Sequence, residues 1–112
     1  MKSEFKAILE ANGLNDVESG AAYGPFVQNP SGPVIKSMTP IDGSEIGTVK
    51  CASGDDYEEI IERAEERFTT WCTMPAPQRG HIVREMGDAL RERKSELGAL
   101  VTLEMGKIRA EG

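Results

Sequence analysis

Residues Ser53 to Trp71 read SGDDYEEIIERAEERFTTW, and this stretch decides the architecture of the chain. Its apolar positions are Tyr57, Ile60, Ile61, Ala64, Phe68 and Trp71, at steps of 3, 4, 7, 11 and 14 from Tyr57. That period is the stripe of an amphipathic helix, not the alternation of a strand. Ser53 stands three residues before Asp56, a variant of the capping box, and Asp55, Asp56, Glu58 and Glu59 place negative charge where the helix dipole favours it. Glu58, Glu59, Glu62, Glu65 and Glu66, with Arg63 and Arg67 among them, make up the opposite face. It is read as solvated surface; Glu62 and Glu66 are a like-charge pair one turn apart.

Working outward toward the C-terminus, Pro75 and Pro77 stop this helix, and Pro77 is expected to open the next as its first residue. Ile82, Val83, Met86, Ala89 and Leu90 form a second stripe; Leu97, Leu100, Val101 and Met105 form a third. Ser95 is a candidate cap for a separate helix, the alternative being one helix with a kink. Gly106 has the place of a glycine just past a helix end. Residues 53–112 are therefore expected to form a helical layer.

Toward the N-terminus, residues 33–52 read as a β-hairpin. Val34-Ile35-Lys36-Ser37-Met38 is one strand, Pro40-Ile41-Asp42-Gly43 the turn, and Glu45 to Cys51 the return strand. A lone hairpin is marginal in water, so it is expected to lie against something else. Residues 1–32 divide into a short amphipathic helix and a loop. Phe5, Ile8 and Leu9 set the helix, with Ser3 as candidate cap and Gly13 as terminator. Gly20 to Gly32, with Tyr23-Gly24-Pro25 and Asn29-Pro30-Ser31-Gly32, reads as a loop or short extended segment. The fold class is α/β, mostly helical, and 112 residues suffice for one small domain.

The bulk numbers exclude several functions. The formal net charge is −6, with no clustered Lys and Arg to meet phosphates, so neither a nucleic-acid partner nor an anionic membrane is expected. The apolar runs reach three or four residues, far short of the roughly 20 that span a bilayer. The start, Met1 to Lys6, has no apolar core of a secretory signal. A cytoplasmic location is expected. A disulfide between Cys51 and Cys72 is open on count alone, but two free thiols are expected in that compartment.

Few residues are candidates for chemistry. His81, the single histidine, has no nucleophile at a recognisable spacing and is read as structural. Cys51 ends a strand, and Cys72 sits at a helix C-terminus, where the dipole opposes a thiolate. Both are read as structural. The glycines form neither G-x-G-x-x-G nor G-x-x-x-x-G-K-[ST]. Met105-Gly106-Lys107 ends a helix, presenting carbonyls rather than the N–H groups that phosphate needs. The residues taken alone describe an α/β domain with no active site.

A resemblance adds to this. Asp56-Tyr57-Glu58-Glu59 through Phe68-x-x-Trp71, then Met74-Pro75-Ala76-Pro77-x-Arg79-Gly80-x-Ile82-Val83-Arg84, resembles the aldehyde dehydrogenase superfamily, as do Gly87-Asp88-Ala89-Leu90-Arg91 and the run Leu97-Gly98-x-Leu100-Val101-x-Leu103-Glu104-Met105-Gly106-Lys107. The Pro-Ala-Pro-x-Arg-Gly entry, the Leu-Glu-Met-Gly-Lys-Ile exit and Thr39-Pro40-Ile41-Asp42-Gly43-x-x-Ile46-Gly47-x-Val49 are similar to the antiquitin-like branch, the α-aminoadipic semialdehyde (piperideine-6-carboxylate) dehydrogenases of lysine breakdown. The likeness runs from about Val17 to Gly112.

The resemblance implies the N-terminal hairpin and helical layer of an incomplete nucleotide-binding domain. It implies a parent enzyme that oxidises an aldehyde with NAD through a cysteine thioester and is a homo-oligomer. In that family the catalytic cysteine, its glutamate, the oxyanion-hole asparagine and the NAD-binding turns all belong to later motifs. Neither Cys51 nor Cys72 has the Gly-Gln-x-Cys context. No catalytic, cofactor-binding or metal residue carries over, and the 112-residue chain is expected to be inactive. In some members the acidic residue at Glu104 lies near a structural monovalent cation; the alternative is helix-end packing or an ion pair with Arg79 or Lys107. Two rival readings are a self-standing interaction module derived from this segment and a gene cut short, which the DNA following the Gly112 codon distinguishes.

Overall fold

The computed structural model describes residues 2–112. The elements in chain order are α1 (Ser3–Ala11), β1 (Val17–Ser19), β2 (Val34–Met38), β3 (Glu45–Lys50), α2 (Gly54–Trp71), α3 (Ala76–Glu92) and α4 (Lys94–Met105).

The hairpin forms where the sequence places it. Strands β2 and β3 pair antiparallel, with Ile35 opposite Val49 and a bulge at Ser37/Met38. The return strand closes one residue earlier than expected, at Lys50. Gly43 takes φ 74° in the turn, a conformation open to glycine at little cost. The expected two strands are in fact three. Val17–Ser19 adds to β3 in parallel, giving the order β1-β3-β2 with β3 in the centre. The loop reading of the first zone missed this strand, whose three residues carry no alternation long enough to register.

Helix starts differ in detail from the sequence reading. Lys2, not Ser3, is the N-cap of α1, with no side-chain cap. Ala76 opens α3 and Pro77 is its second residue. A separate α4 does follow α3, but the junction is Arg93 (φ −104°, ψ 15°) and not Ser95. At the other end of α4, Gly106 is left-handed at φ 74°, and a Cβ there would stand 2.9 Å from Pro40 Cγ. Glycine is needed twice over, for backbone and for space. Residues 106–112 leave the helical layer as turns and coil.

The core is small and sits at one end. Phe5 of α1, Ile46 of β3 and Leu103 of α4 pack together, with Ile8 and Leu9 against them. Thr39 is buried beside them, and its hydroxyl donates to the Leu103 carbonyl at 2.6 Å. That bond satisfies one of the orphan carbonyls of the last helical turn and ties the hairpin to α4. The stripes of α2 and α3 do not join this core. No residue of either helix is buried, and Phe68 is 61% and Met86 63% exposed. The molecule is accordingly extended, 48 × 33 × 18 Å, with a radius of gyration of 17.0 Å. A compact chain of this length would have about 13 Å.

Candidate functional site

The most heavily bonded polar group is Asp56. Ser53 Oγ accepts from the Asp56 N–H, and Asp56 Oδ2 accepts from the Ser53 N–H at 2.8 Å, so the capping box is complete. The same oxygen accepts from the Ser31 N–H at 2.7 Å and the Ser31 hydroxyl at 3.1 Å. The backbone N–H groups of Ser53 and Ser31, then the serine hydroxyl, hold the Asp56 carboxyl down at about 2. Tyr23, from the same loop as Ser31, lies under the Arg63 guanidinium at 4.2 Å, and Arg63 also pairs with Glu59 at 2.9 Å. The sequence signalled the cap but not Ser31, which reaches it from 25 residues away.

The candidates for chemistry are scattered. His81 is exposed and lies 3.3 Å from Glu85, one helical turn on. Cys72 is exposed at the end of α2, with its thiol 3.4 Å from the Thr69 carbonyl, and Cys51 is half-buried after β3. Both thiols are free. Among the described residues no hydrogen bond joins either cysteine to His81, as a nucleophile and its base would require. Among the described residues no group of three or more His, Cys, Asp or Glu side chains is placed to hold a metal ion.

Glu104 faces the hairpin. Ser37 Oγ donates to its carboxylate at 3.2 Å, so its neighbour is neither of the cations expected, Arg79 or Lys107. Glu104 and Ser37 line a cleft of about 250 Å³ between α1, β3 and α4, together with the apolar side chains of Leu9, Leu14, Ile46, Val49 and Leu100. Ser37 lies 67 residues from Glu104, a juxtaposition with no local signal in the sequence.

The hairpin is docked on the end of a helix that closes with Leu-Glu-Met-Gly-Lys, preceded by two long helices joined through Pro-Ala-Pro. The aldehyde dehydrogenase family model matches residues 26–112, and the chain belongs to that family. Within it, the similarity points to the antiquitin branch, over its N-terminal portion. The α-aminoadipic semialdehyde dehydrogenase of Bos taurus is 44% identical over 106 residues, 95% of this chain and 19% of that protein. The aldehyde dehydrogenase family 7 member A1 of Malus domestica is 51% identical over 82 residues, 73% of this chain and 16% of that protein. The protein of the same name from Pisum sativum is 46% identical over 103 residues, 88% of this chain and 20% of that protein. The chain thus spans about a fifth of the length of the curated relatives it matches.

The starts of α2, α3 and α4 are poor cradles for a dinucleotide's pyrophosphate. A pyrophosphate needs free N–H groups at a helix start. At α2 the Asp56 carboxylate already takes that place and would repel a phosphate. At α3 Pro75 and Pro77 have no N–H, and those of Gln78 and Arg79 bond to the Pro75 carbonyl. At α4 the chain arrives straight from α3, and the Leu97 N–H bonds to the Arg93 carbonyl.

Proposed function

We propose that this chain is the N-terminal hairpin and helical layer of the nucleotide-binding domain of an NAD-dependent aldehyde dehydrogenase, and that it carries no catalytic, cofactor-binding or metal residue itself. The whole enzyme would oxidise α-aminoadipic semialdehyde to the carboxylate, in the cytoplasm and as a homo-oligomer. The observation that carries this reading is the identity of 44% to the bovine α-aminoadipic semialdehyde dehydrogenase across nearly the entire chain. The exposed apolar stripes of α2 and α3 support it, since a layer of a larger domain needs such faces.

The test has two arms. The purified chain, given α-aminoadipic semialdehyde and NAD, is expected to produce no NADH above a buffer blank; turnover abolished by Cys51→Ala or Cys72→Ala would overturn the assignment. Isothermal titration with NAD is expected to show no saturable heat. In the second arm the chain replaces the matching segment of a related α-aminoadipic semialdehyde dehydrogenase. The chimera is expected to keep NAD-linked activity on that aldehyde, and a folded but inactive chimera counts against the reading. Glu104, bonded to Ser37, serves helix-end packing in this reading; stabilisation of the chimera by sodium or potassium that Glu104→Gln removes would instead assign it to the family's monovalent cation.

A further inference from the structure

The chain has three asparagines, and the residue that follows each is different: Asn12 precedes Gly13, Asn15 precedes Asp16 and Asn29 precedes Pro30. An asparagine side chain is open to attack by the backbone nitrogen of the next residue. Glycine in that place puts no side chain in the way and has the widest backbone freedom. Proline has no N–H to lose. Asn12–Gly13 is therefore the dipeptide of this chain most prone to deamidation. The fold, however, holds both reacting groups. Asn12 caps the C-terminal end of α1 at φ −91° and ψ 1°. Its amide donates one hydrogen to the Ile8 carbonyl at 2.9 Å and the other to the Glu96 carbonyl of α4 at 3.0 Å. The Gly13 N–H, the nucleophile, donates to the Glu10 carbonyl at 2.9 Å. Asn12 thus stands in the seam between α4 and a helix whose Phe5, Ile8 and Leu9 belong to the core. Bulk gives Gly13 no protection: it is exposed, and nothing lies within 4 Å of where a Cβ would stand.

We propose that Asn12–Gly13 is a deamidation site that the packed end of the molecule keeps closed, so that it reacts from chains in which that end is unfolded, and that the product cannot remake the seam. The Gly13 nitrogen bonds to Asn12 Cγ and gives up its proton, and the side-chain nitrogen leaves as ammonia. Water then opens the succinimide ring at either carbonyl, leaving an aspartate or an isoaspartate at position 12. A carboxylate has no hydrogen to donate to the Ile8 and Glu96 carbonyls. It also sets negative charge at a helix C-terminus, where the dipole opposes it. A passing unfolding of this end is thereby made permanent.

The test is to incubate the 112-residue chain in mildly alkaline buffer, with and without denaturing guanidinium chloride, and to follow each asparagine by peptide mapping and mass spectrometry. In denaturant Asn12 should convert to aspartate and isoaspartate while Asn15 and Asn29 stay intact. In buffer alone the conversion should be slower by roughly tenfold or more, the worth of the two hydrogen bonds that Asn12 must first give up. Leu103→Ala, which loosens the packed end, should bring the rate in buffer toward the rate in denaturant, and does so equally if that variant fails to fold. Phe68→Ala on α2 should keep the wild-type rate. Equal rates with and without denaturant overturn the proposal, as does an Asn12 that stays intact in denaturant. Leu103→Ala reacting as slowly as wild type, or Phe68→Ala reacting as fast as Leu103→Ala, also overturns it, since the protection would then not belong to the packed end. Asn12→Asp should lower the thermal midpoint; an unchanged midpoint overturns the loss of the seam.

Discussion

The two ends of this molecule were written in the same helical code and meet different fates. At one end, α4 has a weakly defined polar and apolar pattern, yet it buries Ala99 and Leu103 against α1 and the hairpin. At the other, α2 and α3 have well-formed stripes and bury nothing fully. The lesson is that amphipathic periodicity marks a helix that wants a partner and says nothing about whether the partner is nearby. The accessible surface reflects it: 8315 Å² for 12.2 kDa, against about 6,100 Å² for a compact protein of that mass.

The contrast can be broken most forcefully in the core. Leu103 is 1% exposed, and Leu103→Ala removes side-chain atoms that the surroundings cannot replace. A clear drop in the urea midpoint, followed by helical dichroism, is expected, since a buried Leu→Ala change typically removes about 2–5 kcal/mol of packing. Phe68→Ala on α2 should leave that midpoint nearly unchanged, as is usual for a surface position. Similar losses at both sites would mean that α2 is packed in solution.

A smaller effect is expected at the start of α2, where local bonding rather than burial maintains order. Ser53→Ala removes the oxygen that accepts from the Asp56 N–H and should cost about 1 kcal/mol, seen as a lower thermal midpoint by helical dichroism. Ser53→Asn, which keeps a capping oxygen, should recover most of it.

Acid provides a gentler perturbation. Asp56 is held at about 2 by the N–H groups of Ser53 and Ser31, and Asp42 at about 2 by the Ser44 hydroxyl and N–H and by Lys2. Both folded values lie below the usual 3.8. The stabilisation they give is present above that value and is lost as the pH falls from there toward 2. Stability should therefore decline across that window, and Asp56→Asn should flatten the decline.

How much of this was legible depends on how far apart the partners are in the chain. Ser53 and Asp56 are three residues apart, and the cap was read directly. The hairpin turn at Pro40–Gly43 and the helix end at Gly106 were equally local. Strand β1 was missed because Val17-Glu18-Ser19 gains its identity from Thr48, Val49 and Lys50, about thirty residues on. Ser37 beside Glu104, Ser31 on Asp56 and Asn12 on Glu96 were missed for the same reason. The cap of α1 went wrong in the other direction. Ser3 has a capping side chain, but the backbone enters the helix one residue earlier, at Lys2.

The central claim is that this chain is one layer of a larger domain, so that the apolar faces of α2 and α3 stand uncovered when it is alone. Sedimentation velocity of the purified chain, run with a hydrophobic dye and a thermal melt on the same sample, tests it most directly. The account predicts helical dichroism, strong dye binding, concentration-dependent association and a broad thermal transition. A monomer that binds no dye and melts in one sharp, cooperative step would contradict it, and would make the chain a self-standing module.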